Sequence, residues 1–118
     1  MYLGIDLGTS SIKTIVIDDA DKKISETSQP IKTSSPRSLW SEQNPLDWLE
    51  AAEKAILSIP KKIRSDIKGI GLSGQMHGAV LLDNQNQLIR PAILWNDGRS
   101  HQECQELEKN FPELKPII

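Results

Sequence analysis

The chain has 118 residues, with 14 basic against 16 acidic side chains, a formal net charge of −2, and one cysteine. That length supports one domain with a modest core, and the balanced charge, with no basic stripe, argues against nucleic acid or an anionic membrane as partner. Cys104 alone excludes an internal disulfide and offers no metal-ligand spacing; no stretch has the length of a membrane span or the layout of a cleaved leader, so a cytoplasmic location is expected.

In chain order, Tyr2-Leu3-Gly4-Ile5-Asp6-Leu7 reads as a strand and Ile12-Lys13-Thr14-Ile15-Val16-Ile17 as its hairpin partner. Between them Asp6-Leu7-Gly8-Thr9-Ser10-Ser11 combines a glycine with three successive hydroxyl residues. Such a turn lets backbone N–H and side-chain O–H groups converge on an anion, and Asp6 at the strand's end suits a Mg²⁺ ion held through water. An ordinary tight hairpin with Ser and Thr as turn formers fits the same residues. Residues 24–31 form a third strand ending near Pro30, and 32–43 a Ser- and Pro-rich loop containing Trp40.

Asn44-Pro45 then supplies an N-cap followed by proline at the first helical position. Leu49, Ala52, Ile56 and Ile59 recur at helical spacing, widened by Trp48 and Ala55, until Pro60 ends the helix. Residues 67–73 read as a fourth strand whose glycines predict close approach of another backbone. Residues 79–83 and 87–92 flank Asn84-Gln85-Asn86 as a hairpin. From Arg99 onward Cys104, Leu107, Phe111 and Leu114 repeat as an amphipathic helix that Pro112 disturbs near its end. The order of elements is α/β.

Two further segments carry polar groups suited to a cleft. Gln75-Met76-His77-Gly78 follows a strand end; neutral His77 can give and accept a hydrogen bond while Met76 shapes an apolar wall, although such a pair taken alone more often reads as a hydrogen-bonded core histidine beside a packing methionine. In Trp95-Asn96-Asp97-Gly98-Arg99 an indole face can lie on the C–H surface of a sugar, with polar neighbours reaching hydroxyls. Arg99 can instead pair with Asp97 or cap the loop. No Gly-x-x-x-x-Gly-Lys-[Ser/Thr] run occurs. Gly69-Ile70-Gly71-Leu72-Ser73-Gly74 has dinucleotide-fingerprint spacing, but it follows a helix and no helical pattern follows it. His101 and Cys104 lack a third orienting group for nucleophilic catalysis.

The first turn resembles the first phosphate loop of the sugar-kinase, Hsp70 and actin superfamily. Together with Ser73-Gly74-Gln75-Met76-His77-Gly78, Pro91-Ala92-Ile93-Leu94-Trp95-Asn96-Asp97-Gly98-Arg99 and Leu39-Trp40-Ser41-Glu42-Gln43-Asn44-Pro45, it resembles the FGGY family of carbohydrate kinases over almost the whole chain. The resemblance implies a ribonuclease-H-like α/β fold, of which residues 1–118 would form the N-terminal part of the first domain. It is nearest to the members that phosphorylate D-xylulose with ATP and Mg²⁺. It implies that Gly8, Thr9, Ser10 and Ser11 approach the β- and γ-phosphates, that Asp6 holds the Mg²⁺ shell, and that Lys13 faces either the phosphates or solvent. Met76, His77, Trp95, Asp97 and Arg99 would lie on the sugar side.

The family's enzymes are several times longer, with the general-base aspartate later in the first domain and the adenosine pocket in the second. The resemblance therefore places the catalytic base beyond Ile118, and Asp6, Asp66 and Asp97 do not match its motif. The isolated chain is expected to be inactive and to self-associate through uncovered apolar surface. Lys115-Pro116-Ile117-Ile118 carries no stop signal such as a capped helix or charged tail, which fits a fragment. A family member acting on glycerol, gluconate or L-ribulose is the nearest rival, with Met76-His77 as the discriminating pair. A truncated module that binds sugar or a partner without phosphoryl transfer is another.

Overall fold

The structure is a computed structural model and describes residues 1–114. Strand β1 (Tyr2–Leu7) pairs antiparallel with β2 (Ser11–Ile17), and β2 with β3 (Lys23–Pro30). The register sets Leu3 opposite Val16 and Leu7 opposite Ile12, so alternation sends Leu3, Ile12, Thr14 and Val16 to one buried face. The other face carries Gly4, Asp6, Lys13 and Ile15. After a two-residue strand β4 (Glu42–Gln43), helix α1 (Pro45–Ser58) covers the buried face of β2 and β3.

Asn44 caps α1, its Oδ1 accepting from Leu46 N at 3.0 Å, with Pro45 at the first position as expected. The small residues Ala51 and Ala55 face the sheet, and Ile59 at the helix end packs between Leu3 and Val16. A second cluster joins Ile12, Ile31 and Ala51, with Trp48 and Ala52 against it. Leu49, expected in the buried stripe, is 68% exposed, because the helix turns its alanines to the sheet.

A strand hydroxyl completes the helix end. Ile59 N turns back to Ile56 O, and Ala55 O accepts from Thr27 Oγ1 at 3.0 Å and from Ser58 Oγ at 2.7 Å. A carbonyl only accepts, so Thr27's one proton goes to it, and Thr14 must be the donor in the 2.7 Å contact between the two threonine hydroxyls. Both hydroxyls, the buried Thr14 and the half-buried Thr27, are thereby satisfied.

Pro60 ends α1 as expected but also opens a one-turn helix, α2 (Lys61–Arg64), too short to show a period in the sequence. Strand β5 (Gly69–Gly74) then lies parallel to β1, giving a mixed sheet in the order β3-β2-β1-β5. The expected backbone approach is not found at either glycine: a Cβ on Gly71 would meet nothing within 4 Å, and one on Gly69 would meet only the Tyr2 ring, at 3.4 Å. Residues 79–91 form an irregular hairpin held by a Leu82–Leu88 bridge and by Asp83 N to Gln87 O at 2.9 Å. Strand β6 (Ala92–Ile93) pairs with β4, so the end of the expected 32–43 loop is a strand instead.

Helix α3 (His101–Asn110) stops ahead of Phe111-Pro112, as the proline requires. None of its residues is buried. The stripe of Cys104, Leu107 and Phe111 is exposed, while the expected Leu114 side chain lies outside the described ones. Residues 115–118, the segment without a stop signal in its sequence, also lie outside the described residues. No helix among the described residues is long and apolar enough to cross a membrane.

Ile59 is 1% exposed and wedged between the sheet and α2. Ile59→Ala is expected to lower unfolding free energy by about 2–4 kcal/mol, and Asn44→Ala by about 1 kcal/mol. Urea unfolding followed by far-UV circular dichroism checks both values.

Candidate functional site

The parallel strands β1 and β5 run side by side, and the segments leaving their C-terminal ends meet: the Gly8–Thr9–Ser10 turn after β1 and Gln75-Met76-His77 after β5. Ligands of open α/β sheets collect at this end of parallel strands. Gly8 N donates to Ser11 O at 3.0 Å to close the turn, and a Cβ on Gly8 would come within 3.1 Å of the same oxygen, so the tight turn favours glycine. Asp6 is exposed on the open sheet face, with Lys13 its register partner on β2 and Ser73 on β5. These three residues line a cavity of about 430 Å³ over the side-chain-free pair Gly4 and Gly71.

Gly74, Gln75, Met76, His77 and Trp95 line a second cavity, of about 340 Å³. His77 has a φ of 61°, an uncommon conformation for a residue with a side chain, and Met76 is exposed. Trp95 lies on the segment after β6 and donates its Nε1–H to Thr9 Oγ1 at 3.3 Å. Thr9 in turn donates to Gln75 Oε1 at 3.3 Å. With its one hydroxyl proton engaged there, Thr9 leaves the exposed Ser10 and half-buried Ser11 as the turn's other hydroxyl donors.

Behind this wall lies Gln43, a residue to which no sequence motif assigns a role. It is 1% exposed and its amide is fully engaged. Nε2 donates to Thr9 O at 2.6 Å and to Thr33 Oγ1 at 2.9 Å, while Oε1 accepts from Trp48 Nε1 at 2.9 Å and from Gln75 Nε2 at 3.1 Å. The amide's orientation follows from its partners, since an indole N–H only donates and a carbonyl only accepts. Trp48 is the signal that could have found it. A tryptophan turned toward the core needs an acceptor for its N–H, and Gln43 stands five residues before it.

Asp97 and Arg99 do not line the second cavity; of the readings open for Arg99, pairing with Asp97 is the one observed. The guanidinium grips the carboxylate in two-pronged fashion, Nε to Oδ1 at 2.7 Å and Nη2 to Oδ2 at 2.6 Å. Ser41 N and Arg99 N add backbone bonds at 2.6 and 3.0 Å, so both oxygens of this 2%-exposed side chain are occupied. Arg99 also reaches Glu42 at 2.9 Å and stacks 3.7 Å from the Trp40 ring centroid, while Arg90 reaches the same Glu42 oxygen at 2.6 Å. The cluster clamps β4 to the segment that carries Trp95. The general base has no candidate to place in this geometry: its expected position is past Ile118, and Ile118 itself is outside the described residues.

Arg99's hydrogen bonds, opposed by burial and aided by Ser41 N, hold the Asp97 carboxyl well below the usual carboxylate range. A depressed carboxylate contributes stability above its unfolded value, about 3.9, and that stability is lost as pH falls toward the folded value. Asp97→Asn is therefore expected to cost about 2 kcal/mol at neutral pH. Its stability should also fall less steeply than the parent's below about pH 4. Urea midpoints measured between neutral pH and the acid limit test both effects.

The profile described as the FGGY family of carbohydrate kinases, N-terminal domain, matches residues 1–117. The chain is 44% identical to the xylulose kinase of Escherichia coli (strain K12) over 118 residues, covering 99% of this chain and 24% of that protein. It is 44% identical to the xylulose kinase of Bacillus subtilis (strain 168), covering 92% of this chain and 22% of that one. The crystal structure of a xyloylose kinase from Brucella ovis superposes with a TM-score of 0.87 at 46% identity, over 98% of this chain and 25% of that chain. The chain thus spans about a quarter of the length of these relatives. A profile match over nearly every residue, with the same fold in a solved relative, shows that the chain belongs to the FGGY family of carbohydrate kinases.

Proposed function

We propose that residues 1–118 are the N-terminal part of a kinase that transfers the γ-phosphoryl group of ATP to the 5-hydroxyl of D-xylulose, giving D-xylulose 5-phosphate and ADP. The observation that carries this reading is the meeting of the hydroxyl-bearing turn and the Met76–His77 wall at one end of β1 and β5, linked by the Trp95–Thr9 hydrogen bond. Identity of 44% to two xylulose kinases supports D-xylulose as the acceptor.

The residues present fit a magnesium nucleotide. An exposed carboxylate at a strand end beside serine hydroxyls is the oxygen donor set a hard cation and its water shell accept. Asp6 would hold the Mg²⁺ shell, while Gly8, Thr9, Ser10 and Ser11 would hold the β- and γ-phosphates; Lys13, opposite Asp6, adds a positive charge on the same face. Mg²⁺, when bound, offsets charge on the phosphates. Met76 and Trp95 would pack on the sugar's C–H surface and His77 would bond its hydroxyls. Asp97 and Arg99 would act on the sugar side by holding the Trp95 segment. The proton acceptor for the 5-hydroxyl would come from a later part of the kinase, so residues 1–118 alone are expected not to turn over.

Leu72 is 81% exposed and Leu49 68%, and an apolar groove of about 860 Å³ runs between β5, α1 and the 79–91 hairpin. Uncovered, that surface favours self-association of residues 1–118. Sedimentation velocity is expected to show weight-average mass rising with concentration; one monomeric species across the range removes that claim.

ADP release by the natural gene product, translated to its own stop codon, tests the kinase reading with D-xylulose, glycerol, L-ribulose and gluconate. Release selective for D-xylulose is expected, with His77→Ala lowering kcat/KM for it by about 10- to 100-fold. Silence with all four sugars would overturn the kinase reading.

A further inference from the structure

Gln43 touches neither of the two site cavities, yet its side-chain amide joins four separate parts of the chain. It holds the carbonyl of Thr9 in the first turn, the hydroxyl of Thr33 in the loop after β3, the indole of Trp48 on α1, and the side chain of Gln75 in the wall after β5. Three of those bonds are expected of any satisfied core amide. The bond to Thr9 O is different in kind: at 2.6 Å it is the shortest of the four, and it fixes a backbone carbonyl inside the turn. A peptide plane is rigid, so fixing the Thr9 carbonyl also fixes the direction of the Ser10 N–H.

The connection closes on itself. Thr9 gives its hydroxyl proton to Gln75 Oε1, Gln75 gives an amide proton to Gln43 Oε1, and Gln43 gives one back to Thr9 O. Trp95 joins the ring at Thr9 Oγ1. Each member that touches the second cavity, Gln75 and Trp95, is one hydrogen bond from Thr9. Only Gln43 in this ring is fully buried, with Thr9 and Gln75 half-buried, and leaving its interior amide unpaired is costly, so the bonds around it hold together.

We propose that Gln43 is a positioning residue, which locks the aim of the turn's N–H groups to the wall that receives the second substrate. This rests on the kinase reading above and adds a specific dependence: occupancy of the wall by sugar and orientation of the turn are coupled through one buried amide. A chain lacking that amide folds and still binds sugar, but presents the phosphate-facing groups in the wrong direction.

Gln43→Glu is the informative variant. It keeps the shape and can still accept from Trp48 and Gln75, but its ionised carboxylate cannot donate to Thr9 O. Thr33→Val is the control, since it removes one Gln43 bond at a residue that lines neither cavity and leaves the bond to Thr9 O in place. In the natural full-length product, Gln43→Glu is expected to lower kcat by tenfold or more, with KM for D-xylulose changed by less than threefold. Hydrogen exchange in the peptide spanning residues 7–12 is expected to quicken at least fivefold. Thr33→Val is expected to leave kcat and that exchange within twofold of the parent. Equal kcat in Gln43→Glu and the parent, or equal losses in both variants, would overturn the proposal.

The exchange measurement needs no turnover. A parent silent with every sugar, with quickened exchange in Gln43→Glu alone, defeats the kinase reading and keeps the positioning role. An active parent with unchanged exchange in Gln43→Glu does the reverse.

Discussion

The site depends on how a two-residue strand is held. β4 has no hydrophobic side chain of its own, and Glu42 and Gln43 are both buried. Burying polar side chains is tolerable only when their hydrogen-bonding groups are met. Two arrangements do this from opposite directions. Arg99 and Arg90 neutralise Glu42, and the Asp97 carboxylate receives Ser41 N, which ties β4 to the segment leading through Trp95. Gln43, on the adjacent residue, ties the same strand to the first turn and to α1. The strand is thus a polar hinge pin between the two walls of the site, and its fixed position lets Trp95 reach Thr9.

Charge placement follows the same logic. Arg99 does three things at once: it pairs with Asp97, reaches Glu42 and lies over Trp40. A lysine could supply the charge but not the planar fork or the stacking surface. The polar pattern of Trp95-Asn96-Asp97-Gly98-Arg99, suggestive of hydroxyl recognition when read linearly, is in large part self-directed. The indole of Trp95 faces the cavity, and the charged pair behind it supports the backbone.

What was legible in the chain divides along the range of the interaction involved. Strands β1 to β3 are joined by short turns, and β1 and the start of β2 alternate apolar with polar residues, so their antiparallel order is a local property. The start of α1 is equally local, since Asn44 and Pro45 act within one turn. β5 was legible as a strand but not its partner, because parallel pairing with β1 is decided by residues more than sixty positions apart. β4 is invisible in the linear pattern: two residues have no periodicity, and the groups that satisfy them come from the first turn, the loop after β3, α1, and the segments after β5 and β6. The site residues named from motifs, Thr9, Met76, His77 and Trp95, do come together. Gln43 stands in the Leu39–Pro45 motif without a role of its own, because its four partners, at residues 9, 33, 48 and 75, are brought together only by the fold.

The parallel pairing of β1 with β5 also bears on how the chain is made. β1, β2 and β3 can zip together once about thirty residues have left the ribosome, since their contacts lie close in sequence. The far edge of β1 has no partner until Gly69–Gly74 is synthesised, and the N-terminal amine meets Asp66 O only across a separation of 65 residues. During that interval the first strand presents an open row of amides and carbonyls, the kind of edge that pairs with stray strands. Its exposure in the nascent chain is therefore set by translation speed between Pro30 and Gly69, and slow codons in that window prolong the period of greatest risk.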